Sequence, residues 1–187
     1  SSQDRIAINV TAIGRIARAK VKYRSGAREN DIVYVTGYLG DSAQGLLDIR
    51  SGVYDSPFIA VHHDPHPCVN EGIWLGNQPE VHAMMDISDG LASDLPHILE
   101  ESETGAEISI ERIPTRTTVE LAVTGGEDYQ LLLTVGAEAA DRIAAEYVRH
   151  FGKPLYGIGR IRSGAPDIIW SDNGEVVRPQ WKGFRHF

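Results

Sequence analysis
Apolar positions along this chain switch between a period of two and a period near 3.6, and each switch marks an element. Residues 6–13 (IAINVTAI) alternate at first and carry β-branched side chains, which predicts a strand. It starts almost at residue 1, before any turn or cap, so further sequence is expected ahead of it. Residues 24–31 (RSGAREND) are polar and turn-forming, and mark a boundary. Residues 32–36 (IVYVT) predict a short strand running through Gly37-Tyr38-Leu39-Gly40-Asp41-Ser42 into a short helix over 43–49. Residues 50–82 are rich in His, Pro, Gly and Asn, with one helix expected near 70–76. Residues 83–87 (AMMDI) read as a buried strand that ends in Ser88-Asp89-Gly90, followed by Leu91, Leu95, Ile98 and Leu99 at helical spacing. Pro96 falls inside that helix, where its ring clashes with the preceding turn; a helix restarted at an Asp94 cap is the expected solution. Strands are predicted over 106–110, 129–135, 155–161 and 167–170, and an amphipathic helix over 137–151 with Gly152 as its stop. The ending WKGFRHF is too aromatic for a solvated tail.

Strands and helices therefore mix without strict βαβ regularity, which predicts an α+β domain with helices layered on a mixed β-sheet. The 187 residues suit one domain, or one domain with a remnant of a neighbour, and can bury a core without covalent staples. With Lys plus Arg at 18 and Asp plus Glu at 26, the net charge of −8 argues against binding nucleic acid, since nothing would neutralise a run of phosphates. The lone Cys68 cannot form an internal disulfide, which suits a reducing compartment, the cytoplasm. No apolar run reaches the length of a membrane span, and the opening SSQDR lacks the layout of a signal peptide.

The most informative segment is Asp86-Ile87-Ser88-Asp89-Gly90-Leu91. Two carboxylates three apart at a strand end can face one crevice, and hard oxygens so placed suit Mg²⁺, which completes its shell with water and substrate phosphates. Ser88 adds a hydroxyl, and Gly90 allows a tight turn into a helix N-terminus, which favours anions. Ser88 and Asp89 as simple helix caps is the alternative. Asp86 argues against it, because a carboxylate closing an apolar strand is costly unless a cation or donors meet it. Gly125-Gly126-Glu127-Asp128-Tyr129 is the second candidate: a glycine backbone that lets a ligand approach, with acids at the mouth of a strand, or an ordinary glycine turn. Gly37-x-x-Gly40-Asp41-Ser42 lacks the ending of a Walker loop and reads as a tight strand-to-helix turn. His62, His63 and His66, near Asp64 and Cys68, do not have the spacing of a structural zinc site. Trp181, Phe184 and Phe187 suit packing, though Phe184 between Gly183 and Arg185 can also offer a face to a planar ligand.

Together these segments resemble the thiamine-monophosphate kinases, of the superfamily shared with aminoimidazole ribonucleotide synthetase. The matching stretches are VTAIG at 10–14, RSGAREND at 24–31, VTGYLGDSAQGLL at 35–47, HHDPHP at 62–67, AMMDISDGLASDLPHI at 83–98, TGGEDYQLL at 124–132 and the final GFRHF. They cover nearly the whole chain, and DISDGL followed by GGEDY is the specific combination. The resemblance implies that residues 24–187 form the α+β C-terminal domain of that superfamily, and that 1–23 are the end of an N-terminal domain. In the family that domain forms the homodimer and supplies further acidic Mg²⁺ ligands and much of the ATP pocket. The implied activity is phosphoryl transfer from ATP to thiamine monophosphate, giving thiamine diphosphate. By motif match, Asp86 and Asp89 would hold Mg²⁺, Ser88 and Arg24 would contact ATP, and Glu127 and Phe184 would contact the thiamine phosphate. No catalytic group beyond metal and phosphate ligands is implied, because phosphoryl transfer needs positioning and charge neutralisation more than a covalent nucleophile. Two rivals stay open: another ATP-dependent enzyme of the superfamily, or a non-catalytic nucleotide-binding or oligomerisation module. The 187 residues alone are expected to be inactive.

Overall fold
The computed structural model describes residues 8–181. Seven strands form one sheet in the order β2-β4-β1-β5-β3-β6-β7, namely β1 Ile32–Val35, β2 Val81–Asp86, β3 Gly105–Ser109, β4 Leu131–Val135, β5 Tyr156–Arg162, β6 Ile168–Asp172 and β7 Glu175–Val177. All neighbours run antiparallel except β3 and β6, so the sheet is mixed as expected. Among the described residues six α-helices accompany it: α1 Asp41–Arg50, α2 Pro57–His63, α3 Val69–Gly76, α4 Leu91–Ser102, α5 Val119–Thr124 and α6 Ala137–Phe151.

The period-two pattern divides the core between the two faces of the sheet. Val33 and Val35 of β1 and Leu132 of β4 join Leu91, Leu95, Ile98 and Leu99 of α4 and Ala122 of α5 on one face. Tyr34 and Leu133 point the other way, to Leu75 of α3 and Ile143 and Tyr147 of α6. Helix α6 ends at Gly152 in the left-handed conformation (φ +67°), as its stop signal predicts. No described helix is long and apolar enough to cross a membrane.

Four expectations are corrected. Residues 8–13 form no strand: Ile8, Val10 and Ile13 are 85%, 87% and 94% exposed, and an alternating segment without a partner strand has no ladder to join. Residues 6 and 7 lie outside the described part. Helix α4 is continuous from Leu91 through Pro96, anchored by four fully buried apolar side chains, and does not restart at Asp94. The His- and Pro-rich stretch contains α2, capped by the Ser56 hydroxyl, which accepts from Phe58 N–H at 3.2 Å; so His62 and His63 are helical. Helix α5 and the short edge strand β7 lie in segments whose periodicity is too brief to read.

Candidate active site
The two glycine-bearing turns singled out in the sequence are built into each other. Beyond the paired residues of β2 and β4, the backbone ladder continues: Ile87 N–H donates to Gln130 O at 2.8 Å, Tyr129 N–H to Ile87 O at 2.9 Å, and Glu127 N–H to Ser88 O at 2.8 Å. A Cβ on Gly126 would lie 2.4 Å from Ser88 O, so only glycine allows this approach. Gly90 opens α4 at φ +97°, ψ 153°, a conformation essentially reserved for glycine. Glu127 (φ +67°) and Tyr129 (φ +49°) are non-glycine residues held left-handed, at a cost of about 1–2 kcal/mol each. Strain of this kind persists only where the surroundings over-determine it.

Two buried carboxylates hold the turns in place. Asp94 Oδ2 accepts from Ser88 N–H and Asp89 N–H, both at 2.9 Å. Its carboxyl is raised above the ordinary range by burial, against the pull of those two amides, and the nearby Asp89 and Asp86 charges push it further up. The Ser88 and Asp89 amides of the turn are thus already occupied by Asp94. Asp128 ties the second turn to the start of α1, accepting from Gly40 N–H at 2.7 Å and Ser42 N–H at 3.2 Å. Burial raises its pKa to about 6 despite these hydrogen bonds. Asp128 is therefore a clamp on the Gly37–Ser42 turn, where the sequence had suggested a second acid at a strand mouth.

The turns open onto a cleft of about 480 Å³. It is lined by Ser88, Asp89, Gly126 and Glu127 of the two turns, by Leu46, Leu47 and Arg50 of α1, and by His62 and Ser42. A smaller cavity of about 230 Å³ holds Arg116 and Lys153. Its cations have partners already: Arg116 pairs with Asp41, its Nε donating at 3.0 Å, and Lys153 Nζ lies 2.6 Å from Glu71 Oε1.

The sequence-expected residues divide accordingly. Ser88, Asp89 and Glu127 share the cleft. Asp86 ends β2 beside it, but it is exposed, so the cost of burying it does not arise. Arg24 lies elsewhere: its carbonyl accepts from the Ser102 hydroxyl at 2.7 Å, at the far end of α4 from the Ser88 turn, and its side chain is exposed. A twelve-residue helix, roughly 18 Å long, separates the two. Phe184 falls outside the described residues. Trp181, expected to pack, stacks edge-on to Trp170 at 5.1 Å. Among the described residues no group of three or more His, Cys, Asp or Glu side chains is gathered around a metal-sized site, and the histidines of 62–66 form no such group. Asp94, Asp128 and His62 were missed as site residues, because their roles depend on contacts that sequence spacing does not encode.

Residues 28–170 match the family described as AIR synthase related protein, C-terminal domain. The chain belongs to that family. Within it, the chain is 34% identical to the thiamine-monophosphate kinase of Escherichia coli K12, over 93% of this chain and 58% of that protein. The crystal structure of thiamine-monophosphate kinase from Stenotrophomonas maltophilia K279a superposes with a TM-score of 0.75 at 27% identity, covering 87% of this chain and 56% of that one. The structure of AaThiL complexed with AMPPCP and TMP gives 0.68 at 31% identity, covering 88% and 53%. This AIR synthase related domain thus spans less than two thirds of the length of the curated relatives it matches.

Proposed function
We propose that this protein is a thiamine-monophosphate kinase, which transfers the γ-phosphoryl group of ATP to thiamine monophosphate and forms ADP and thiamine diphosphate. The observation that carries the reading is the interlock of the two turns. It brings Ser88 and Asp89, suited to a nucleotide phosphate and its cation, into one cleft with Glu127, suited to a cationic acceptor. The likeness to thiamine-monophosphate kinases supports the same assignment.

In this reading the Ser88 hydroxyl donates to a phosphate of ATP, the Glu127 carboxylate receives the thiazolium and aminopyrimidine of the acceptor, and Phe184 is a further acceptor contact. Asp86 and Asp89 would hold Mg²⁺. Their hard oxygens fit that ion, and the upward push that both exert on Asp94 marks a local excess of negative charge that a cation relieves. Bound there, Mg²⁺ would neutralise charge on the transferring phosphoryl group. No general base is required, because the accepting atom is already a phosphate oxyanion. Contact between ATP and Arg24 requires the nucleotide to extend toward the far end of α4. Residues 24–187 act as the C-terminal domain and 1–23 as the end of an N-terminal domain through which two copies pair, in the cytoplasm where ATP is available.

The test is an acceptor panel with the full-length protein. ADP should form with thiamine monophosphate, at least about a hundredfold faster than with thiamine or selenide. ADP formation indifferent to acceptor, or fastest with another acceptor, overturns the reading.

A further inference from the structure
Helices α1 and α2 meet at Gly45, where an added Cβ would lie 2.3 Å from Phe58 O and 2.9 Å from the Cβ of His62. This approach lays the His62 ring over the first turn of α1. There one ring nitrogen serves two neighbours: His62 Nδ1 lies 2.9 Å from Ser42 Oγ and 3.6 Å from Glu127 Oε2. Ser42 is a fixed anchor, 1% exposed, with its N–H held by Asp128. His62 is 16% exposed at its side chain and Glu127 57%. A half-buried histidine, anchored on a buried serine, therefore backs a carboxylate that lines the cleft.

We propose that His62 is a positioning residue for Glu127: with its proton on Nδ1 it is anchored on Ser42 and draws the inner Glu127 oxygen, so that the outer oxygen stays aimed at a cationic, amine-bearing acceptor. The distances support this division of labour. The short contact goes to the neutral hydroxyl and the longer one to the carboxylate. The carboxylate is thereby oriented while keeping its capacity to accept hydrogen bonds from a ligand. The opposite tautomer would turn the Nδ1 lone pair toward Glu127 and repel it. The inference rests on the reading of Glu127 as an acceptor contact, and it adds the residue that sets its aim.

Three variants of the full-length enzyme test it, because Asn presents its amide where Nδ1 lies, Gln presents it near the Nε2 position, and Ala presents nothing. His62→Gln and His62→Ala should raise the KM for thiamine monophosphate roughly tenfold and leave the KM for ATP within about twofold, whereas His62→Asn should stay within about threefold of wild type. In a Glu127→Gln background, His62→Ala should add less than about twofold, as expected for a residue acting through another. The proposal is overturned if both KM values rise together, if His62→Ala lowers the melting temperature with both KM values unchanged, or if the two substitutions multiply. Such results with wild-type turnover intact remove the inference alone. A wild-type enzyme that does not phosphorylate thiamine monophosphate removes the functional reading, and the inference with it.

Discussion
At the scale of single residues, the candidate site depends on carboxylates that play different parts. Asp94 accepts two backbone N–H groups with one oxygen, and an amide oxygen can do the same. Asp94→Asn should therefore cost less than about 1 kcal/mol in urea denaturation, while Asp94→Ala, leaving both amides unpaired, should cost about 2–4 kcal/mol and lower turnover. Asp128 works against its own charge. Its folded pKa of about 6 lies above the ordinary 3.8, so the folded state binds its proton more tightly than the unfolded state does. The stability that Asp128 contributes is then greatest below pH 4 and falls as pH rises through 6, by roughly 2–3 kcal/mol. The non-titrating Asp128→Asn variant lacks this slope. The stability difference, wild type minus variant, should shrink between pH 4 and 6.5, and a difference that grows contradicts the clamp's electrostatics. Asp86 and Asp89 are proposed to hold the Mg²⁺ that would neutralise charge on the phosphoryl group. Asp86→Asn and Asp89→Asn should each reduce turnover of the full-length enzyme at least tenfold at saturating Mg²⁺, and near-normal rates in both would withdraw the assignment.

At the scale of elements, the site is a joint between the ends of β2 and β4. A methyl group on Gly126 has no room unless Ser88 O moves, and Ser88 O is held by Glu127 N–H. Gly126→Ala should therefore cost more than about 2 kcal/mol and raise both KM values, because it separates the two turns themselves. Much of this level was legible in the sequence. The 137–151 helix announced itself by period and its glycine stop by residue type, the strands at 32–36 and 129–135 were read as short strands, and D-x-S-D-G and G-G-E-D marked the two turns. What could not be read was set by tertiary contact. Helix α4 runs through Pro96 because Leu91, Leu95, Ile98 and Leu99 are buried together. The 6–13 segment has the pattern of a strand, but residues 8–13 have no partner to pair with. Helix α2 is hidden among histidines and prolines, and it brings His62 to Glu127 across 65 positions of sequence through a close approach at Gly45. Asp128 stands beside Glu127 in sequence yet faces the opposite task, a distinction that only its burial under the start of α1 makes visible.

At the scale of the molecule, the cleft is lined by two acidic side chains, Asp89 and Glu127, and by the hydroxyls of Ser42, Ser88, Thr124 and Tyr129, and the proposed reaction must manage the charge of a nucleotide triphosphate. No described cluster of three metal-ligating side chains completes that task, and the relatives that share this domain are substantially longer. The 187 residues expressed alone, checked for a folded circular dichroism spectrum, should form ADP at least about a hundredfold more slowly than the full-length protein. Equal rates would mean that the active site is misplaced. The most direct measurement follows the phosphoryl group itself. Full-length protein is given ATP labelled at the γ-phosphate together with thiamine monophosphate and Mg²⁺, and the products are separated. Label should appear in the terminal phosphate of thiamine diphosphate, at a rate cut at least tenfold by Asp89→Asn. Label found only in inorganic phosphate, or transfer to thiamine monophosphate unaffected by Asp89→Asn, would contradict the account.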